Sequence, residues 1–394
     1  MKRSMQYFWP FAIILACGVG LGDEPRFTEE LIADGFGYAF AVAAADLDGD
    51  GDADLTSCDT DKGNFYWFQN NGQGLFRKHD IRLNEPGWFE RHAIGDISGD
   101  GRPDIAVVKN LDGHLVWFEN GGRPEVSDSW KRHVISTDIR RAYDVVLVDL
   151  NGDGRLDAAA SAWVGNHFAW FENPGSTAAD EEWQKRLIDE NVNTSRNIRV
   201  SDFNGDGRAD LLCTAHGAPL TAWYEQPEDP AASHWIRHVV DDFSPGPTHG
   251  HPIDLDADGD QDILMALGFS TAPGAAASHQ VVWYENDGEP GRGLVWRKHV
   301  IGPLNDAFEA FAGDLDGDGD LDAAATAWGD PGQVVWFENP GEPRQTWQKH
   351  VLKAAWRRAN QVIIFDADGD SRPDIAATAE RGTNELRLWR NRGK

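Results

Sequence analysis

The sequence predicts an all-β fold, a seven-bladed β-propeller of four-stranded blades, on three observations. A nonapeptide of Asp and Gly recurs seven times, the copies lie one blade length apart, and the same succession of short apolar runs and turns follows each copy. The copies occupy residues 46–54, 96–104, 149–157, 202–210, 254–262, 314–322 and 366–374, at spacings of 50, 53, 53, 52, 60 and 52 residues. An apolar run such as 156–162 follows the nonapeptide. A Trp-aromatic-Glu-Asn motif comes next, at Trp67, Trp117, Trp170, Trp223, Trp283 and Trp336 and in degenerate form at Trp389. A turn rich in Gly and Pro then leads to a strand of the type Trp130-Lys-Arg-His-Val-Ile135.

In chain order, Lys2 and Arg3 precede an apolar run over residues 7–16, too short to span a bilayer and the size of a signal-peptide core. Residues 1–22 are expected to be a signal peptide, cleaved after Gly22 or processed at Cys17 if Ile14-Leu15-Ala16-Cys17 is a lipobox. The remainder, 23–394, is expected to be one propeller, exported as a secreted, periplasmic or outer-surface lipoprotein form, monomeric, and touching membrane only through such a lipid. The seventh repeat stops after its third strand near Trp389, and Phe27 to Ile32 matches the missing fourth. The N-terminal strand is therefore predicted to complete the last blade and close the ring, which would otherwise keep unpaired edges.

Acidic residues outnumber basic ones 65 to 36, a formal charge of −29, which argues against a protein that grips nucleic-acid phosphates or anionic lipid. A hydrophobic content of 41% demands a packed core. Cys58 and Cys213 fall in strand-like runs and read as buried thiols.

Twenty-eight of the 65 acids lie in the nonapeptides. Asp fills positions 1, 5 and 9 of all seven, and position 3 is always an oxygen donor. The sets are Asp46, Asp48, Asp50 and Asp54; Asp96, Ser98, Asp100 and Asp104; Asp149, Asn151, Asp153 and Asp157; Asp202, Asn204, Asp206 and Asp210; Asp254, Asp256, Asp258 and Asp262; Asp314, Asp316, Asp318 and Asp322; and Asp366, Asp368, Asp370 and Asp374. Side chains at 1, 3, 5 and 9 with a backbone carbonyl at 7 give the ligand spacing of a hard cation. Oxygen-only donors on a compact loop favour Ca²⁺ over Zn²⁺ or Mg²⁺. Carboxylates packed this closely repel unless a cation lies between them, so up to seven structural Ca²⁺ ions are expected. Ser98 in the second loop and Ser371, at position 6 of the seventh, mark the weakest expected sites.

The motif Asp-x-Asp-Gly-Asp-Gly-x-x-Asp on blade-sized repeats resembles the FG-GAP and VCBS repeat propellers of bacterial exported proteins, related in design to the integrin α-subunit head. The resemblance covers about residues 27–394. It implies the propeller, structural calcium, and ligands bound on the face opposite the calcium loops. It does not specify a function, because such propellers include adhesins, glycan binders and, with similar architecture, polysaccharide lyases.

Residues that break the repeat are then the functional candidates. Of 17 Trp, one precedes residue 23, seven belong to the third-strand motif, and Trp130, Trp183, Trp235, Trp296 and Trp347 belong to the fourth strand. Trp88, Trp163, Trp328 and Trp356 are left, in connections away from the acidic loops, and are expected as exposed platforms for sugar rings. Six residues after the last Asp of each loop stand Thr60, Asn110, Trp163, His216, Gly268, Trp328 and Glu380. Five before the first Asp stand Ala41, Arg91, Asp144, Asn197, His249, Glu309 and Gln361, with Tyr143, Arg196, Arg199, His251 and Arg358 nearby. The expected ligand-binding set is Trp88, Arg91, Trp163, His216, His249, Trp328, Trp356 and Arg358. By contrast, His79, His133, His238, His299 and His350 recur at one fourth-strand position and read as structural.

Three functions fit. A glycan-binding or adhesive module, the favoured reading, needs only the Trp platforms and the polar ring. A polysaccharide lyase needs an Arg to neutralise a uronate carboxylate and a His or Tyr to move the proton beside it; Arg141, Tyr143, Arg196, His216, His249 and His251 offer these groups. A scaffold for a cell-surface protein partner needs neither. No nucleophile motif, phosphate loop or His-x-x-x-His pattern points elsewhere.

Overall fold

Four strands per repeat pair in chain order, each antiparallel to the next, and the computed structural model assembles them as seven four-stranded sheets around one axis. The structure describes residues 26–175, 181–269, 272, 274, 278–287 and 292–394. The expected signal peptide and lipobox, within residues 1–22, lie outside them. The first strands, Ala39–Ala45, Phe89–Gly95, Ala142–Val148, Ser195–Ser201, Pro247–Ile253, Ala307–Gly313 and Ala359–Phe365, pack against one another around the channel. Second strands such as Asp157–Ala162 and Asp322–Ala327 are buried along their whole length. Neighbouring blades cover both of their faces, which explains continuous apolar runs in place of alternation. The third and fourth strands slip register in every blade, as between Phe168 and Ala169 and, in the closing blade, between Leu31 and Ala33. Bulges of this kind twist the ring's outer edges and discourage edge-to-edge pairing.

Two repeat motifs lock the blades together. The motif Asn donates its backbone N–H to the last Asp of its own loop, as Asn173 does to Asp157 at 2.8 Å. Its side-chain amide donates to the preceding blade's loop, Asn173 to Ile97 O and Asn120 to Leu47 O, both at 3.0 Å. In five blades a fourth-strand His lies flat on the motif Trp, with centroids 4.2–4.7 Å apart for His79, His133, His238, His299 and His350. These histidines are structural, as their periodicity implied. Cys58 and Cys213 are buried free thiols.

The ring closes as predicted. Phe27–Ala33 pairs antiparallel with Glu385–Asn391, with Phe27 opposite Asn391 and Leu31 opposite Arg387. The register corrects one assignment. Leu388 faces Ala376 as Trp67 faces Thr56, and Trp389 faces Ile375 as Phe68 faces Leu55. Trp389 thus takes the place of the motif's second aromatic, and six rather than seven Trp residues occupy the repeat position. Arg390 then stands where other blades carry Glu or Gln, and Glu30, opposite Leu388, stands where they carry His or Arg. Arg390 donates to Glu30 through Nε and Nη2 at 3.0 and 2.8 Å. The closing blade carries this pair with its polarity reversed.

Candidate functional site

Each acidic loop joins a first strand to a second, so all seven lie on one face. Within a loop the first Asp accepts backbone N–H groups, as Asp46 does from Gly49 and Gly51 at 2.7 and 3.0 Å. Carboxylate oxygens converge within 4.8 Å in Asp46/Asp48/Asp50, Asp254/Asp256/Asp262, Asp314/Asp316/Asp322 and Asp366/Asp368/Asp374. These are the four loops with Asp at position 3; those with Ser98, Asn151 and Asn204 are not among them. Burial raises the last Asp of every loop, to about 8 for Asp262 and Asp322, about 7 for Asp54, Asp157, Asp210 and Asp374, and about 6 for Asp104. Clustered oxygens that are costly to ionise alone suit a divalent hard cation. A sequence signal missed above is position 7, which is Arg102, Arg155, Arg208 and Arg372 in four loops. These guanidiniums bind the position-5 carboxylates of Asp100, Asp153, Asp206 and Asp370, so they compete for an ion's ligand.

The opposite face is built by a different repeat. Eight residues before the first Asp of six loops, the backbone has positive φ: Trp88 (61°), Arg141 (55°), Thr194 (59°), Gly246 (66°), Asp306 (52°) and Arg358 (60°). Each carbonyl there accepts the N–H of the residue six after the last Asp: Asn110, Trp163, His216, Gly268, Trp328 and Glu380, at 2.9–3.1 Å. Tyr38 and Thr60 make the same bond in the first blade. A left-handed backbone is uncommon for Trp and Arg, and such strain concentrates at functional positions.

From these paired positions a closed circle of side chains surrounds the channel mouth, with a member from every blade. Trp88 meets Tyr38 edge-on at 6.3 Å. Tyr38 hydrogen-bonds Glu380, which also accepts the Trp328 indole N–H at 2.5 Å. Trp328 packs edge-on against Phe269 at 5.0 Å, and the Arg196 guanidinium lies 4.8 Å from Phe269. Arg196 Nη2 donates to the Tyr143 hydroxyl at 2.8 Å, and Tyr143 meets Trp163 at 6.3 Å. Arg141 sits 5.6 Å from both Trp163 and Trp88 and closes the circle. Arg358 lies over Trp328 at 4.6 Å and Arg381 over Tyr38 at 4.4 Å. Trp88, Trp163 and Trp328 are half-buried, each leaving some ring surface open. His249 forms part of the floor, stacked on Tyr143 at 5.7 Å and hydrogen-bonded to the Phe308 carbonyl, while His216 packs on Phe269 at 5.3 Å.

Below the mouth, charges cross the channel. Arg91 makes two hydrogen bonds to Glu309, at 3.2 and 2.9 Å, with both side chains buried. Arg199 links Asp144 (2.7 Å) with Glu309 (3.6 Å), and His251 adds a contact to Glu309 at 3.2 Å. Burial would raise Glu309, but Arg91 and His251 hold it down to about 2. Burial and the Arg199 charge push His251 down. This network ties blades two to six together and fills the axis.

Of the predicted site residues, Trp88, Trp163, Trp328, Arg358, Tyr143, Arg196, His216 and His249 come together at the mouth. Arg91 does not: it is spent on Glu309, out of a ligand's reach, because an unpaired guanidinium at that depth would be too costly. His251 shares that network. Trp356 is also corrected. It is 1% exposed, edge-on to Trp389 at 5.5 Å and hydrogen-bonded to Thr383, because its connection folds under the neighbouring hairpin. The sequence reading missed Tyr38, Glu90, Phe269, Phe308 and Arg381. A bulge in each first strand, as between Ala142 and Val145, brings two successive residues to the axis. The residue six before the first Asp (Glu90, Tyr143, Arg196 or Phe308) therefore counts as much as the fifth.

The FG-GAP-like repeat family matches residues 46–107, 96–160, 202–265 and 254–325, together more than half of the chain. No curated protein matches the sequence. Among solved structures, the chain is similar in fold to an Agrocybe aegerita lectin that recognises non-reducing terminal N-acetylglucosamine, with 16% identity, a TM-score of 0.52 and 80% of each chain covered. It is similar to virginiamycin B lyase from Staphylococcus aureus, with 11% identity, a TM-score of 0.60, and 93% of this chain and 99% of that one covered. It also resembles BBS1N, solved in complex with ARL6DN, with 11% identity, a TM-score of 0.57, and 93% and 96% covered. With four family matches laid over blades whose strands and acidic loops recur in step, the chain belongs to the FG-GAP-like repeat family as a seven-bladed β-propeller.

Proposed function

We propose that this protein is an exported, calcium-stabilised propeller that binds glycans, in a recognition or adhesive role, through the channel mouth opposite its acidic loops. The observation that carries the reading is the closed circle of non-repeating side chains, in which three half-buried Trp residues stand beside arginines on a face that the repeat itself does not need. Aromatic faces with polar neighbours are what sugar rings stack on. The lectin among the structural neighbours is consistent with this use of the fold. The seven acidic loops would hold Ca²⁺ as structural ions, with loops one, five and six offering five Asp each and no internal arginine.

A glycan array probed with the protein and with a Trp163→Ala/Trp328→Ala variant tests the reading. Binding lost in the variant at unchanged melting temperature supports it; an array without hits, or hits that survive the double change, turns the assignment toward a protein partner. The lyase reading keeps one observation in its favour, the direct contacts of Arg196 and His249 with Tyr143. Release of unsaturated product from uronate polymers, abolished in His249→Ala, would establish it.

A further inference from the structure

The protein as a whole is strongly acidic, yet the mouth is lined by Arg141, Arg196, Arg358 and Arg381, and among the described residues none of the four forms an ion pair. Arg196 is the telling one. It is 6% exposed, enclosed by the rings of Tyr143, Phe269 and Phe308 at 4.6, 4.8 and 5.5 Å, and its Nε has no partner. A buried guanidinium with no carboxylate paired to it is out of balance, and cation–π contacts offset only part of the cost of desolvating it. One layer deeper, Arg91 is equally buried and has its carboxylate, Glu309, so the fold supplies a counter-ion where no ligand can reach. The nearby acids do not fill the role at the mouth. Glu380 is engaged by Tyr38 and Trp328, and Glu90, pushed up to about 8 by burial and by the Glu380 charge against the pull of Arg141, Arg196 and Arg91, makes no ion pair with any of the four among the described residues.

The acidic loops do not cancel this field. They lie at the far ends of first strands seven residues long, roughly 20 Å away at about 3.3 Å per residue. That is more than two Debye lengths at physiological ionic strength, about 8 Å each.

We propose, building on the glycan-binding reading, that the mouth selects an anionic sugar unit whose carboxylate or sulfate is taken by Arg196 and Arg141 while its ring lies against Trp163. The planar guanidiniums suit two-point recognition of either anion, and the adjoining indole supplies the stacking face.

The test uses the calcium-loaded protein, intrinsic Trp fluorescence and calorimetry, with three probes: oligogalacturonate carrying only carboxylates, carrageenan oligosaccharides carrying only sulfates, and neutral xylo-oligosaccharides. The expected result is at least about tenfold tighter binding of one or both charged probes than of the neutral one, falling as NaCl is raised. Which charged probe binds identifies the anion. Arg196 is packed into the fold, so Arg141→Gln, at a half-buried position, is the deciding variant: it should reduce binding of the charged probe about tenfold without shifting the melting temperature. Equal affinity for charged and neutral probes, unaffected by Arg141→Gln and Arg358→Gln, overturns the anion inference and leaves glycan binding standing. Failure of all three probes to bind overturns the glycan reading and the inference with it.

Discussion

The reversed pair in the closing blade should be what secures the N-terminal strand, and it can be measured directly. Arg390 is 5% exposed and Glu30 29% in their side chains, joined by two parallel hydrogen bonds. Arg390 also donates to the carbonyls of Gln73 (2.7 Å) and Gly74 (2.9 Å) and lies 3.0 Å from Asp368. Arg390→Gln leaves two carboxylates and two carbonyls without their common donor. Breaking a buried pair from one side costs about 3–5 kcal/mol; the partial exposure of Glu30 brings the expected loss to about 2–4 kcal/mol. Glu30→Gln leaves Arg390 its other three partners and should cost about 1–2 kcal/mol. The pair itself is isolated by the double-mutant cycle with Glu30→Gln/Arg390→Gln, for which a coupling of about 1–2 kcal/mol is expected in urea melts followed by Trp fluorescence. Limited proteolysis should cut residues 26–33 faster in both single variants, since their strand is the one released. Additive single changes, with coupling below about 0.3 kcal/mol, would refute the claim that this pair holds the ring shut.

Deleting Phe27 to Ile32 should lower the melting temperature of the whole protein, and a truncated chain that melts like the intact one would sink the closure argument. Adding millimolar Ca²⁺ after chelation should raise the midpoint, each site held at 100-fold excess over its Kd contributing about 2.7 kcal/mol; the rise should be smaller in Asp314→Asn than in Asp96→Asn, because the loop of Asp96 has an arginine, Arg102, on its position-5 carboxylate and the loop of Asp314 has none. Asn173→Ala should cost about 1–3 kcal/mol by stranding buried loop carbonyls of its own and the preceding blade, read from thermal melts. Glu309 titrates at about 2 in the fold, below its ordinary value near 4.5, so its ion pair stabilises the protein above pH 4.5 and fades as pH falls toward 2. The stability gap between the parent protein and Glu309→Gln should therefore be constant above pH 4.5 and shrink by up to about 3 kcal/mol below it; a gap that does not change with pH would show that the pair is not ionised as described.

The blade count, the strand order, the acidic loops and the closing strand were all legible in the chain, because each rests on local chemistry repeated in phase: Asp and Gly spacing, the Trp motif, and turn residues. A repeat also identifies its own exceptions, and reading those exceptions pointed to Trp88, Trp163, Trp328, Arg196 and Tyr143. What the sequence could not decide was the fate of each exception. Arg91 and Arg196 look alike as variable arginines on the first strands of blades two and four, but the fold places Glu309 against one and aromatic rings against the other. Trp163 and Trp356 are both non-repeating tryptophans, and only the packing of one blade on the next leaves the first at the mouth and seals the second in the core. The shift of Trp389 by one register position and the bulge that brings two neighbouring residues to the axis depend on how the strands of a blade pair, and the circle depends on all seven blades meeting around one axis. Local spacing sets which strand a side chain rides on; burial, charge pairing and ring contact are properties of the neighbours that only ring closure brings within reach.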